Sequence, residues 1–124
     1  MSRKSILIVD DDPVFIRMLQ NQLEVAGYDV LSAQDGAKGI QIARSKRPDL
    51  IIMDIVMPDI DGHKACEIIK RSSLTRNIPI IYLTVKDTPE DEALALELGA
   101  KFFIRKPYKF EAILSMIEST LENN

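Results

Sequence analysis

Short unbroken apolar runs alternate along the chain with stretches whose apolar residues recur every third or fourth position. Ile6-Leu7-Ile8-Val9 is the first run, continuous as a strand covered on both faces should be. Asp10-Asp11-Asp12 and Pro13 follow, and Asp12 reads as the cap of a helix whose first turn tolerates Pro13. Phe15, Met18, Leu19, Gln22, Leu23 and Ala26 form that helix's inward stripe, and Gly27 stops it. Tyr28 to Ala33 is a shorter strand, Asp35-Gly36 a turn, and Ala37 to Ser45 a helix with Ile40 and Ala43 inward. Leu50 to Met53 is a second fully buried strand, ended by Asp54. A loop with Pro58, Asp59, Asp61 and Gly62 precedes a helix from Ala65 to Lys70. Ile78 to Leu83 is a strand with Pro79 at its start, Glu90 to Leu98 a helix ended by Gly99, and Phe102-Phe103-Ile104 the last strand. Phe110, Ile113, Leu114, Ile117 and Leu121 give the final helix its apolar face.

Five strands alternating with five helices imply right-handed crossovers and a doubly wound α/β fold, a parallel sheet with helices on both faces. Such folds place ligands at the carboxyl ends of the strands. Those ends form a set. The first strand ends in Asp10-Asp11, the third in Asp54, the fourth in Thr84, and the fifth runs into Lys106-Pro107. On one sheet edge these residues bring carboxylates, a hydroxyl and an ammonium together. Clustered carboxylates repel unless a cation neutralises them, and oxygen donors without His or Cys suit a hard ion. Mg²⁺ is expected, with Mn²⁺ as a substitute. Asp11 and Asp54 are the expected direct ligands, with the backbone carbonyl of Val56, and Asp10 acts through a bound water. Zinc is disfavoured, because the sole histidine, His63, has no cysteine nearby in sequence. Asp54 is the natural nucleophile towards phosphorus, with Lys106 and Thr84 on the transferring phosphoryl oxygens. There is no glycine-rich phosphate loop, so nucleotide binding has no support.

Composition narrows the class. The chain has 124 residues, expected as one domain over 1–124 with its core at about 5–122. Sixteen Lys and Arg against 19 Asp and Glu give a formal charge of −3, which argues against direct nucleic-acid binding. One cysteine, Cys66, excludes an internal disulfide. There is no long apolar run for a membrane span and no signal-peptide pattern, so a cytoplasmic location is expected.

Four segments together resemble the receiver domains of two-component response regulators, including single-domain chemotaxis-type regulators. They are Ile6 to Pro13, Asp54-Ile55-Val56-Met57-Pro58 with Asp61-Gly62, Leu83-Thr84, and Gly99-Ala100 followed by Lys106-Pro107. The resemblance implies a flavodoxin-like sheet of order 2-1-3-4-5 and a cis Lys106-Pro107 peptide. It implies phosphotransfer to Asp54 from a histidine kinase or a phosphotransfer protein. It also implies an acidic pair at Asp10 and Asp11, a switch hydroxyl at Thr84, and an aromatic switch at Phe103 whose ring turns inward as Thr84 moves. The output would be a downstream protein target or an output domain outside this chain, with a monomer or a weak phosphorylation-dependent dimer. Val85 departs from the usual small residue, and its bulk is expected to slow access of small donors to Asp54.

Two other classes compete. One is a receiver-like interaction module that works without phosphorylation, although such modules normally lose one of Asp54, the acidic pair or Lys106. The other is a hydrolase with an aspartyl-phosphate intermediate, which would need an acid where Val56 stands. His63 is expected as a cap-region or surface histidine and Cys66 as a small helix residue. Glu90, Asp91 and Glu92 are expected as first-turn charges. Leu94, Leu96 and Leu98 cannot all face the core.

Overall fold

The computed structural model describes residues 3–122. Five strands alternate with five helices: β1 (Ser5–Val9), α1 (Pro13–Val25), β2 (Asp29–Ala33), α2 (Gly36–Lys46), β3 (Leu50–Met53), α3 (Gly62–Arg71), β4 (Ile80–Thr84), α4 (Pro89–Glu97), β5 (Phe102–Arg105) and α5 (Phe110–Glu122). The strands pair in parallel in the order β2-β1-β3-β4-β5. The expected doubly wound fold is therefore the observed one.

The unbroken apolar strands are explained by two separate cores. Successive side chains leave a strand on opposite faces. Leu7, Val9, Ile51, Met53, Ile80 and Tyr82 pack with α2, α3 and α4. The residues between them, among them Ile6, Ile8, Ile52, Ile81 and Leu83, pack with α1 and α5. Nearly all are fully buried, each such aliphatic side chain being worth about 1.5–3 kcal/mol.

Short polar side chains start the helices. Asp12 Oδ1 accepts from the Val14 and Phe15 N–H groups, Asp35 from Lys38, Asp61 from Lys64, and the Thr88 hydroxyl from Asp91. Asp12 is thus a helix cap. Gly27 closes α1 at φ +105°, a conformation that disfavours a side chain. Two details differ from the sequence reading. Met18 and Ala26 belong to the expected inward stripe of α1 yet are exposed, Met18 by 48%. The fourth strand begins at Ile80, after Pro79, whose carbonyl accepts from the Ile51 N–H. Among the described residues no helix is long and apolar enough to cross a membrane.

Candidate functional site

The sheet register brings the strand ends level. Val9 pairs with Met53 and Met53 with Tyr82, so Asp10 and Asp54 each stand one residue past the last paired position. Backbone bonds hold them there: Asp10 N–H to the Ala33 carbonyl at 3.0 Å, Asp54 N–H to Val9 at 3.0 Å. Across the same edge, the Lys106 N–H donates to the Thr84 carbonyl at 2.9 Å. Asp10 is 2% exposed and Asp54 5%, whereas Asp11 faces solvent.

One oxygen from each of Asp10, Asp11 and Asp54 lies within 4.8 Å of the other two. Three hard carboxylates at this spacing can hold a divalent metal ion, and no soft donor belongs to the group. Burial raises the Asp10 pKa above the ordinary aspartate value. Hydrogen bonds from Lys106 and from the Asp12 N–H only partly oppose that, and the charge of Asp54 adds to it.

The Lys106 ammonium is 2.7 Å from Asp10 Oδ2 and 3.3 Å from Asp54 Oδ2. It therefore pairs most closely with Asp10 and bridges to Asp54. Burial works against its charge, but the hydrogen bond and charge of Asp10, with those of Asp54, outweigh that. Its pKa lies above the ordinary lysine value. The ammonium also sits 3.9 Å above the centroid of the Phe15 ring, which meets Tyr108 edge-on at 5.9 Å. Phe15 was legible in sequence only as a core position of α1. That it also cradles Lys106 comes from the reach of the Lys106 side chain across the sheet edge to Asp10, beside the first turn of α1. The Lys106-Pro107 peptide is cis, as the resemblance implied.

Asp54 Oδ1 accepts from the Val56 N–H at 3.3 Å, which leaves Oδ2 facing Lys106. Val56 is half exposed, with its side chain outside the acidic group. Thr84 is fully buried at the end of β4. Its Oγ1 accepts from the Lys86 N–H at 3.1 Å, a bond that leaves the hydroxyl proton uncommitted. Phe103 is half-buried on β5, paired in register with Tyr82 and stacked on its ring at 5.8 Å. Val85, expected to restrict access, is 65% exposed.

The loop after β3 is fastened from both sides. Asp59 accepts from the Gly36 and Ala37 N–H groups, each at 2.9 Å, at the start of α2. These bonds hold its carboxyl below the usual aspartate range. The Gly62 N–H donates to the Ile55 carbonyl at 2.8 Å, and Gly62 packs so closely on the Asp54 carbonyl that a side chain would overlap it. Asp59 appeared in sequence only as a turn residue. Its distant partners, 22 and 23 residues away, could not be read from local pattern.

His63 departs most from expectation. It stands in the first turn of α3, as the sequence suggested, but is only 8% exposed. Its Nδ1 is 3.2 Å from the Tyr82 hydroxyl and its Nε2 is 3.1 Å from Asp91 Oδ1. Asp91 is a first-turn acid of α4, as expected, but is itself buried. Leu94 and Leu96 are the exposed leucines of α4, while Leu98 packs on the core.

Comparison with known proteins agrees with this arrangement. The family model described as the response regulator receiver domain matches residues 6–118. The chain is 38% identical to protein PilH of Pseudomonas aeruginosa, over 94% of this chain and 96% of that protein. It is 36% identical to the alkaline phosphatase synthesis transcriptional regulatory protein PhoP of Bacillus subtilis, over 98% of this chain. It spans only 50% of PhoP, and about half of several other curated relatives. Among solved structures, the chemotaxis protein CheY4 of Vibrio cholerae superposes with a TM-score of 0.90 at 30% identity, covering 97% of this chain and 100% of that one. With the fold, the acidic strand ends and a family match over nearly the whole chain all in agreement, this chain belongs to the response regulator receiver domain family.

Proposed function

We propose that Asp54 is the phosphoacceptor of this chain and that Mg²⁺ bound by Asp10, Asp11, Asp54 and the Val56 carbonyl assists the transfer. The chain works as a receiver in a phosphorelay, modifying and unmodifying itself rather than turning over external substrates. The observation that carries the assignment to Asp54 is its placement. It is a nearly buried carboxylate with one oxygen held by a backbone N–H and the other facing an ammonium.

In the transfer, an Asp54 carboxylate oxygen forms a bond to the donor's phosphorus. The phosphorus–nitrogen bond of a phosphohistidine breaks, and its electron pair stays on the donor imidazole. A bound divalent cation supplies positive charge against the phosphoryl oxygens. Lys106 is held in place by Asp10 and Phe15, so its ammonium can swing between carboxylate and phosphoryl oxygens over a short distance. Thr84 can donate its uncommitted proton to a phosphoryl oxygen on Asp54 while still accepting from Lys86.

The donor we assign is a histidine kinase or a phosphotransfer protein in the cytoplasm. We further propose that the chain acts as one receiver unit, as a monomer or a weak phosphorylation-dependent dimer. Its output passes through its surface to a protein target or to an output domain outside the chain, not to nucleic acid directly. The chain covers PilH almost end to end and half of the transcriptional regulatory protein PhoP, so its relatives include both a protein of similar length and longer ones.

Intact-mass measurement with Mg²⁺ and a small phosphodonor tests the assignment. The wild type gains one phosphoryl group, and Asp54→Asn gains none. No gain in the wild type with any small donor or kinase would leave the phosphorylation-independent module as the reading. A gain that persists in Asp54→Asn would move the acceptor elsewhere.

A further inference from the structure

The buried histidine of α3 has no part in the phosphoacceptor chemistry, yet it joins three elements. His63 reaches Tyr82 of β4 through Nδ1 and Asp91 of α4 through Nε2. The Asp91 carboxylate can only accept, so Nε2 carries a hydrogen, while the Tyr82 hydroxyl bonds both His63 Nδ1 at 3.2 Å and the Gly62 carbonyl at 3.4 Å. Asp91 also accepts from the Thr88 hydroxyl at 2.7 Å, and Lys86 Nζ lies 3.7 Å from it. The segment from Thr84 to Asp91 is thus bonded within itself and to α3, and Arg105 of β5 also pairs with Asp87 at 3.1 Å. Lys86 holds the Thr84 oxygen, Lys86 and Thr88 hold Asp91, and His63 anchors Asp91 to α3. On its other side His63 pins the hydroxyl end of Tyr82, whose ring lies against Phe103.

We propose that His63 is a positioning residue that clamps α3 to the start of α4 and so holds the β4–α4 loop and Phe103 in the resting arrangement. This inference rests on the receiver reading above. Any movement of the Thr84 hydroxyl towards a phosphoryl group draws on its bond from the Lys86 N–H, and so on the loop. For the Phe103 ring to turn inward, it must leave the Tyr82 ring. Both movements work against side chains that His63 holds. The clamp therefore sets how much of the switched conformation exists before any phosphoryl group arrives.

The test needs no phosphoryl donor. Fluorophenylalanine is incorporated in the full chain, and the Phe103 signal is assigned by loss in Phe103→Leu. ¹⁹F NMR of the metal-free protein then reports the resting environments of that ring. His63→Leu is expected to raise the population of the ring displaced from Tyr82 by about fivefold, the effect of losing one or two buried hydrogen bonds. His63→Gln carries a donor and an acceptor on one amide and is expected to keep the wild-type populations. Unchanged Phe103 populations in His63→Leu, whether or not its melting temperature falls, would reduce His63 to a core-packing residue and overturn the proposal. A Gln variant that behaves like Leu would overturn the hydrogen-bonding account equally. If His63→Leu does not fold, Tyr82→Phe removes the hydroxyl and keeps the ring. A shift in the same direction supports the clamp, and no shift overturns it. Failure of the phosphoacceptor reading would appear elsewhere, as a wild type that gains no phosphoryl mass.

Discussion

Lys106 shows how much one side chain organises at this site. It neutralises two carboxylates that are almost out of water, and its ammonium rests on an aromatic face. Lys106→Met keeps most of the apolar stem and removes the charge, leaving Asp10 and Asp54 to repel each other. Urea unfolding without metal is expected to show a loss of about 1–3 kcal/mol, the cost of stranding a buried polar group. Added Mg²⁺ should return part of it, because a cation again stands between the acids. Equal stability of variant and wild type without metal would mean that the pairing contributes nothing to the fold. At this scale the sequence identified the members of the acidic group, Lys106 and Thr84, because each stands at or just past the end of a strand-like run. It did not reveal that Lys106 favours Asp10 over Asp54. Tenths of an ångström separate those options, and side-chain packing around Phe15 decides between them.

At the level of elements, the loop from β3 to α3 carries the phosphoacceptor and must stay rigid. Its rigidity comes from Asp59 reaching α2 and from Gly62 lying flat against the Asp54 carbonyl. Gly62→Ala places a methyl group where backbone already stands. It is expected to cost about 1–3 kcal/mol by overpacking and to slow labelling of Asp54 by small donors, since the same shift moves the carboxylate. Parallel measurement of melting temperature and labelling rate checks this, and a variant with normal values for both would contradict the close packing. The Asp61-Gly62 pair was visible in sequence, but as a turn. Its contact with Asp54 depends on how the loop folds back over the end of β3. The same holds for His63: a helix start was legible, but burial between Tyr82 and Asp91 required α4 to pack beside α3.

The whole molecule couples folding to the charge of the acidic edge. Burial raises the folded pKa of Asp10 above the ordinary value of 3.8, so without metal protonation of Asp10 favours the fold. That contribution is fully present below the ordinary value and is lost as pH rises through the raised folded pKa. A bound divalent cation acts the other way, because it needs Asp10 ionised. Mg²⁺ at a hundred times its dissociation constant is expected to stabilise the wild type by about 2.7 kcal/mol near neutral pH. This gain should shrink as the pH falls into the range where Asp10 takes up its proton. Thermal melts with and without Mg²⁺ across pH 4–7 measure both trends. A Mg²⁺ effect independent of pH, or one unchanged in Asp11→Asn, would argue against binding at the acidic group.

The order of elements, the parallel sheet with two covered faces and the polar strand ends all followed from the chain itself. Each rests on local periodicity and on the rule that a strand buried on both faces must be apolar throughout. Tertiary structure alone decided which polar groups meet. Asp59 with α2, Lys106 with Phe15 and Asp10, and His63 between Tyr82 and Asp91 join residues 19 to 96 positions apart. Sequence pattern records which face a residue takes within its own element. Hydrogen-bond partners depend on where elements cross, and that is settled only when the two cores have closed on the sheet.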